Sequence, residues 1–131
     1  QPPSAPPTDL LLVTETNLVV EQISHDPAVQ KAYRADPLVH GYISLKLYDV
    51  ITQGGLFILR NFNRIKLPTL LMHGTADLIT SYKASLYLGY KARESITFRA
   101  WPGLYHELHN EFEKDEVFDF IMKWINQQLA S

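Results

Sequence analysis

Two residues that could act as an acid–base pair follow consecutive strands of a predicted sheet. Asp77 comes four residues after the apolar run 68–73, and His106 comes five residues after the alternating run 95–101. A carboxylate can hold an imidazole in one tautomer and stabilise its protonated form, while the second ring nitrogen serves as a general base. The spacing therefore predicts an Asp–His couple able to activate a nucleophile.

Each of the two residues also has an ordinary explanation. An Asp after a strand is commonly a turn residue or a helix cap, and a His in a loop is commonly only polar. The carboxyl ends of neighbouring parallel strands, however, meet at one edge of a sheet, where α/β proteins place their ligands. This shared position favours the catalytic interpretation of Asp77 and His106.

The patterns around the couple predict its scaffold. The run 68–73 is almost wholly apolar, as a strand covered on both faces should be, and 95–101 alternates apolar and polar residues. Thr80 and Ser81 are candidate caps for a helix between the two strands, and a last helix is expected over about 113–129. The order strand–helix–strand–helix predicts a parallel pair with crossovers and the α/β class.

The first half of the chain has a different pattern. Residues 1–9 hold four of the eight prolines, which predicts an extended leading segment. Residues 10–66 are predicted to be helical, with one helix after the cap Asp26, a turn and another helix start at Asp36-Pro37, and a longer helix over about 44–61. The residues of the longer helix expected to be buried are Leu45, Tyr48, Leu56, Leu59 and Phe62.

The predicted sheet is incomplete. The strand at 68–73 has the composition of a central strand, yet the clear patterns give it one neighbour, and the periodicity of 10–20 does not decide between strand and helix. We expect further strands from outside the chain, and the chain alone to be poorly soluble or bound to a partner. The start at Gln1, without an initiator Met, favours a processed product or a piece of a longer protein.

Composition narrows the classes of function. A net charge of −2 and a pI near 6.2 give no electrostatic reason to bind nucleic acid or an anionic membrane. Without cysteine there is neither a disulfide nor a thiolate nucleophile. No apolar run approaches the roughly 20 residues of a membrane span, and no signal peptide is expected. Any membrane association is therefore expected to be peripheral.

Two stretches carry motifs specific enough to suggest a family. Residues 67–77 are Leu-Pro-Thr-Leu-Leu-Met-His-Gly-Thr-Ala-Asp, and residues 102–111 are Pro-Gly-Leu-Tyr-His-Glu-Leu-His-Asn-Glu. They resemble the C-terminal part of the monoacylglycerol lipase and lysophospholipase group of α/β-hydrolases, which is serine aminopeptidase S33-like. Residues 24–27 and 33–41 are similar to the segment that leads out of that group's cap.

The resemblance implies an architecture and a set of roles. It implies the C-terminal portion of an α/β-hydrolase fold, with 10–66 as part of the cap and its connection to the core, and 67–131 as the core. Asp77 would match the triad acid and His106 the triad base of an enzyme that hydrolyses lipid esters without a metal or organic cofactor. Residues implied near the acyl pocket are Ile79, Thr80 and Glu107.

The third member of a triad is missing from the sequence. The family places its nucleophile in a Gly-x-Ser-x-Gly elbow, and no serine here has that setting (positions 4, 24, 44, 81, 85, 95 and 131). An early His-Gly oxyanion loop is also absent, because His73 and Gly74 belong to the strand leading to Asp77. The expected partner is an N-terminal, nucleophile-bearing half or another chain. The alternative is a catalytically silent piece that acts only through a partner.

A zinc site is the competing interpretation of the segment around His106. The metalloprotease motif needs two histidines four apart on a helix, whereas His106 and His109 are three apart and Asn110 occupies the ligand position. We therefore expect no metal there. His25 and His40 are expected to be capping or surface groups, and His73 a hydrogen-bonded core group.

Overall fold

The computed structural model describes residues 12–130, and within that range the chain forms four strands and four α-helices. The prediction for residues 1–9 lies outside the described residues. In chain order the elements are β1 (Val13–Glu15), α1 (Pro27–Ala35), β2 (Tyr42–Ser44), α2 (Leu45–Arg60), β3 (Thr69–Gly74), α3 (Tyr82–Lys91), β4 (Ile96–Trp101) and α4 (Lys114–Leu129).

A parallel pair of strands is the centre of the second half. β3 and β4 pair from Thr69 opposite Ile96 to Gly74 opposite Trp101, and α3 makes the connection between them. Because parallel neighbours cannot be joined by a tight turn, the intervening helix is the natural crossover. The strand–helix–strand–helix order and the α/β class are confirmed.

Three helices begin at side-chain caps, and two of these caps, Asp26 and Ser81, are expected from the sequence. The Asp26 carboxylate accepts from the Ala28 amide, with Pro27 in the first turn, and the hydroxyls of Ser44 and Ser81 do the same for α2 and α3. Each cap satisfies a backbone N–H that the helix itself leaves without a partner.

The helix expected to begin near Asp36 does not form. Instead, the Asp36 carboxylate accepts from the Leu38 amide at 2.8 Å, and its carbonyl accepts from the Val39 amide at 3.1 Å. These two bonds close a turn, which directs the chain into β2. Asp-Pro favours both a turn and a helix start, and here the local side-chain bond selects the turn.

The segment 10–66 is not wholly helical. β1 pairs with β2 in an antiparallel ladder, with Val13 opposite Ser44 and Glu15 opposite Tyr42. The ambiguous run 10–20 therefore contributes a short strand in its described part. No helix within residues 12–130 combines the length and apolar character needed to cross a bilayer.

The hydrophobic core lies between β4, the loop that follows it, and α4. Trp101, Leu104, Leu108 and Val117 are buried together, with Met72, Phe120 and Ile121 against them. The expected burial of the apolar face of α2 is wrong, because Leu45, Tyr48 and Leu56 are exposed while Leu59 and Phe62 are half-buried. Within residues 12–130 that face is therefore only partly covered.

Candidate active site

The loops after β3 and β4 are bonded to each other at the carboxyl edge of the sheet. The Thr75 amide donates to the Trp101 carbonyl at 2.9 Å, and the Ala76 amide donates to the Leu104 carbonyl at 3.1 Å. The Gly103 amide donates to the Thr75 hydroxyl at 2.8 Å. These bonds continue the strand pairing past its end and fix one loop against the other.

Two glycines allow this close approach. A Cβ on Gly74 would lie 2.2 Å from the Leu104 carbonyl oxygen and 2.4 Å from that of Tyr105. Gly103 has a φ of 79°, a left-handed conformation that costs glycine little and most other residues more. The sequence therefore needs glycine at both places to turn the second loop back over β3.

Asp77 and His106 meet where the two loops run together. His106 Nδ1 lies 2.9 Å from Asp77 Oδ2; the Asp77 side chain is 3% exposed and that of His106 is 35% exposed. An ionised carboxylate can only accept, so Nδ1 carries the proton and donates. This leaves Nε2 as the ring nitrogen that can take a proton from another group, the arrangement that a general base requires.

The Asp77 carboxylate is held on both oxygens. Oδ1 accepts from the amides of Ile79 at 2.7 Å and Thr80 at 3.0 Å. Oδ2 accepts from the Thr80 hydroxyl at 2.7 Å and lies 3.0 Å from His73 Nε2. Burial alone would raise the pKa of Asp77, but the hydrogen bonds from His106, Thr80 and Ile79 outweigh it and lower the pKa to about 2.

His73 is a second histidine on the same carboxylate. Its ring is buried at the end of β3, with Nε2 on Asp77 and Nδ1 2.8 Å from the Ser85 hydroxyl. Because Nε2 donates to the carboxylate, Nδ1 accepts from Ser85. The prediction of a hydrogen-bonded core histidine is confirmed, and its partner is the acid of the couple.

The lowered pKa of Asp77 predicts how stability depends on pH. Its folded pKa of about 2 lies below the ordinary value of 3.8, so its contribution to folding stability is present above about pH 4 and lost as pH falls through about 2. The full pKa shift corresponds to about 2 kcal/mol in the free energy of unfolding. Solvent screening near the loop surface reduces this contribution. Urea unfolding between pH 2 and 5 should show a smaller pH dependence in Asp77→Asn than in the wild type.

The matched control for that measurement is Asp119→Asn, which removes an exposed carboxylate on α4. Its unfolding free energy should follow the wild-type pH dependence. An Asp77→Asn curve parallel to the wild type would contradict the assignment of this stabilisation to Asp77.

Of the three residues expected near an acyl pocket, one lines a cleft and the other two bond to neighbouring side chains. Ile79 lines a largely apolar cleft of about 700 Å³, together with Leu78 of the same loop and Tyr48 and Ile51 of α2. The Thr80 hydroxyl and amide both bond to Asp77. Glu107 is not among the described residues that line this cleft; its carboxylate accepts from Asn110 Nδ2 at 2.7 Å.

The structure adds a buried carboxylate to which the sequence alone assigned no role. Glu111 bonds to the Tyr105 amide and to both the backbone and the ring of His25. His25, expected to be a capping or surface group, is therefore tied to the loop of His106. In the sequence, residues 24–27 and residues 102–111 both carry the family resemblance. That resemblance indicates a common family but does not predict a contact between the two segments.

The described serines engage groups other than His106. Ser44 and Ser81 cap helices, and Ser85 bonds to His73. Ser24 is buried and donates to the Asn110 carbonyl at 2.7 Å, and Ser95 directly precedes β4, at the opposite end of that strand from the loop of His106. Ser4 and Ser131 lie outside the described residues.

A parallel pair with an Asp–His couple on adjacent strand ends defines the C-terminal part of an α/β-hydrolase. The family model of the serine aminopeptidases, S33, matches residues 5–113. The chain belongs to this family.

Relatives and solved structures place the chain near the monoacylglycerol lipases. It is 34% identical over 115 residues to the monoacylglycerol lipase of Mycolicibacterium smegmatis, covering 86% of this chain and 41% of that protein. The crystal structure of the Paleococcus ferrophilus monoacylglycerol lipase superimposes with a TM-score of 0.82 at 32% identity, covering 86% of this chain and 45% of that one.

A soluble variant of the monoglyceride lipase of Saccharomyces cerevisiae has the same fold, with a TM-score of 0.77 at 22% identity over 92% of this chain and 45% of that one. The chain thus spans less than half the length of each of these three proteins. The resemblance and the fold class that the sequence suggested are both confirmed.

Proposed function

We propose that the chain is the acid- and base-bearing part of a serine hydrolase that cleaves carboxylic esters of lipids. The observation that supports this most strongly is the Asp77–His106 couple, with Nδ1 on the buried carboxylate and Nε2 left to act as a base. In this proposal Asp77 is the triad acid and His106 the triad base. The chain by itself is inactive.

The proposed chemistry uses a serine from a nucleophile-bearing half outside this chain. Its hydroxyl attacks the ester carbonyl while His106 Nε2 takes the proton. Asp77 stabilises the imidazolium, which then gives the proton to the departing alcohol oxygen and leaves an acyl-serine. Water attacks the acyl group with the same nitrogen as base, which releases the acid and restores the serine.

The proposal that the nucleophile comes from elsewhere rests on what the described serines already do. Two cap helices, one bonds to His73, and Ser24 is buried against Asn110. Moving any of them to His106 would break a bond that a helix start or a buried group needs. A serine on another part of the protein meets no such conflict.

Exposed apolar surface supports the proposal of a partner half. β3 and β4 each have one hydrogen-bonded neighbour among residues 12–130, so the pair offers open edges to further strands. α2 also exposes several large apolar side chains. A patch of exposed apolar side chains marks an interaction surface rather than a face in contact with water. The exposed members on α2 that lie outside the cleft beside Asp77 include Leu47, Val50, Phe57 and Ile58.

The substrate class is proposed from the cleft and the relatives together. The cleft beside Asp77 is lined mostly by apolar side chains, including Leu78 and Ile79, and its volume of about 700 Å³ suits an acyl chain. Two of the similar proteins, at 34% and 32% identity, are named monoacylglycerol lipases. We therefore propose monoacylglycerols or lysophospholipids as substrates, with Ile79 beside the acyl chain. We retain Thr80 and Glu107 as weaker candidates for substrate binding.

A fluorophosphonate probe separates this proposal from a catalytically silent role. The chain alone should neither react with the probe nor hydrolyse a short-chain p-nitrophenyl ester, whereas the complete hydrolase, with its nucleophile-bearing half, should do both. Labelling of the chain alone would show that it holds its own nucleophile. Failure of the complete protein in both assays would leave the silent, partner-binding role.

A further inference from the structure

Glu111 is a buried charge next to the proposed active-site loop. The residue is 1% exposed and lies directly after the short turn of Leu108–Asn110, which follows His106 in the chain. A carboxylate taken out of water is costly unless its oxygens accept hydrogen bonds. Its partners therefore show what the charge holds in place.

Three donors from two distant parts of the chain converge on this carboxylate. Oε1 accepts from the Tyr105 amide at 2.7 Å and lies 3.0 Å from His25 Nδ1. Oε2 accepts from the His25 amide at 3.0 Å and lies 3.1 Å from the same ring nitrogen. The Ser24 hydroxyl is 3.5 Å from Oε2 and bonds more closely to Asn110.

These contacts fix the backbone on both sides of His106. On one side the Tyr105 amide is held by Glu111, and on the other the Glu107 amide donates to the Ile23 carbonyl at 2.8 Å. The ring of His25 also stacks on that of Tyr105, with centroids 3.6 Å apart. The His106 ring is partly exposed, so its position depends on this anchoring of its backbone.

We propose that Glu111 is a positioning residue for His106. Its carboxylate ties the loop to residues 23–25 and thereby sets the imidazole at hydrogen-bond distance from Asp77 with Nε2 free. The catalytic consequence rests on the proposed function, whereas the effect on the His106 ring does not.

The test variant is Glu111→Gln in the complete hydrolase. The amide keeps the shape of the side chain but replaces one acceptor oxygen with a donor, which faces the N–H groups of Tyr105 or His25. Displacing a reacting group by about 1 Å can cost about 100-fold in rate. We expect kcat to fall 10- to 100-fold with KM within about 2-fold.

The ring nitrogens of His106 supply a readout that a merely stabilising residue would not change. Nitrogen NMR shifts distinguish an imidazole protonated at Nδ1 from one protonated at Nε2. The wild type should show the Nδ1 form, and Glu111→Gln a mixture of the two. Glu113→Gln is the matched control, because it makes the same chemical change at an exposed position that has no side-chain cap bond, and it should behave as wild type.

A second variant decides the question if Glu111→Gln does not fold. His25→Ala removes a ring that is 41% exposed and leaves two amide donors on Glu111. It should lower kcat 3- to 10-fold. A folded Glu111→Gln, or failing that His25→Ala, with wild-type kcat and an unchanged Nδ1 form would overturn the proposal.

The two proposals fail in different ways. If the wild-type complete protein neither turns over ester nor reacts with the probe, the hydrolase function is wrong, and the nitrogen shifts alone then test Glu111. If the wild type is active but Glu111→Gln matches it in kcat and in tautomer, only the positioning role is wrong.

Discussion

Replacing Asp77 by Asn is expected to lower kcat of the complete hydrolase by about 10⁴-fold with little change in its fold. The orientation of the new amide is set by its neighbours. The amides of Ile79 and Thr80 both donate to the Oδ1 position and can only donate, so the amide oxygen stays there. The Thr80 hydroxyl and His73 Nε2 at the Oδ2 position can instead accept, after a rotation of the hydroxyl and a change of tautomer. The NH₂ group then takes the Oδ2 position, 2.9 Å from His106 Nδ1.

That NH₂ group inverts the tautomer of His106. A donor at Oδ2 requires Nδ1 to accept, which places the ring proton on Nε2, the atom that must take a proton from the nucleophile. Steady-state kinetics with a monoacylglycerol would measure the loss. His106→Ala should cost a similar factor, and the double variant little more, because the two residues act as a unit. A near-normal kcat in either single variant would refute the assignment.

Gly74→Ala is expected to destabilise the protein by about 3 kcal/mol and to displace the loop of His106. The added Cβ would lie 2.2 Å and 2.4 Å from two carbonyl oxygens, those of Leu104 and Tyr105. Both are backbone atoms, so no side-chain rotation relieves the overlap. The loop must move away from β3, which lengthens the bond between His106 and Asp77 and should also lower kcat.

Gly55→Ala is the matched control for that variant. Gly55 lies inside α2, and a Cβ there meets nothing within 4 Å. The same substitution should leave stability unchanged or raise it by up to about 1 kcal/mol, because alanine favours a helix interior. Urea unfolding of both variants makes the comparison. Equal stabilities for Gly74→Ala and Gly55→Ala would show that the loop of His106 does not require the absence of a Cβ at position 74.

Local patterns predicted the elements that carry the couple. The apolar run before Asp77 and the alternating run before His106 indicate adjacent strands, and Asp26 and Ser81 mark helix starts that the structure confirms. The juxtaposition of acid and base follows because the carboxyl ends of parallel neighbours share one edge. Each of these inferences needs only residues close in sequence and a general rule of topology.

The rest depended on contacts between distant residues. Nothing in the sequence pairs Glu111 with His25, because they lie 86 residues apart and obey no periodicity. The exposure of Leu45 and Tyr48 could not be foreseen from an amphipathic pattern, which shows which face is apolar but not what covers it.

The long span of the Glu111 contacts has a consequence for the order of folding. Asp77 and His106 are 29 residues apart, whereas His25 and Glu111 are separated by 86. Closing the larger loop costs about 1 kcal/mol more in chain entropy, and contacts of high contact order form late. We expect β3 and β4 to pair first. His106 then reaches its final position when residues 23–25 pack against its loop. Pulsed hydrogen exchange should then protect the Tyr105 amide later than the ladder of β3 and β4.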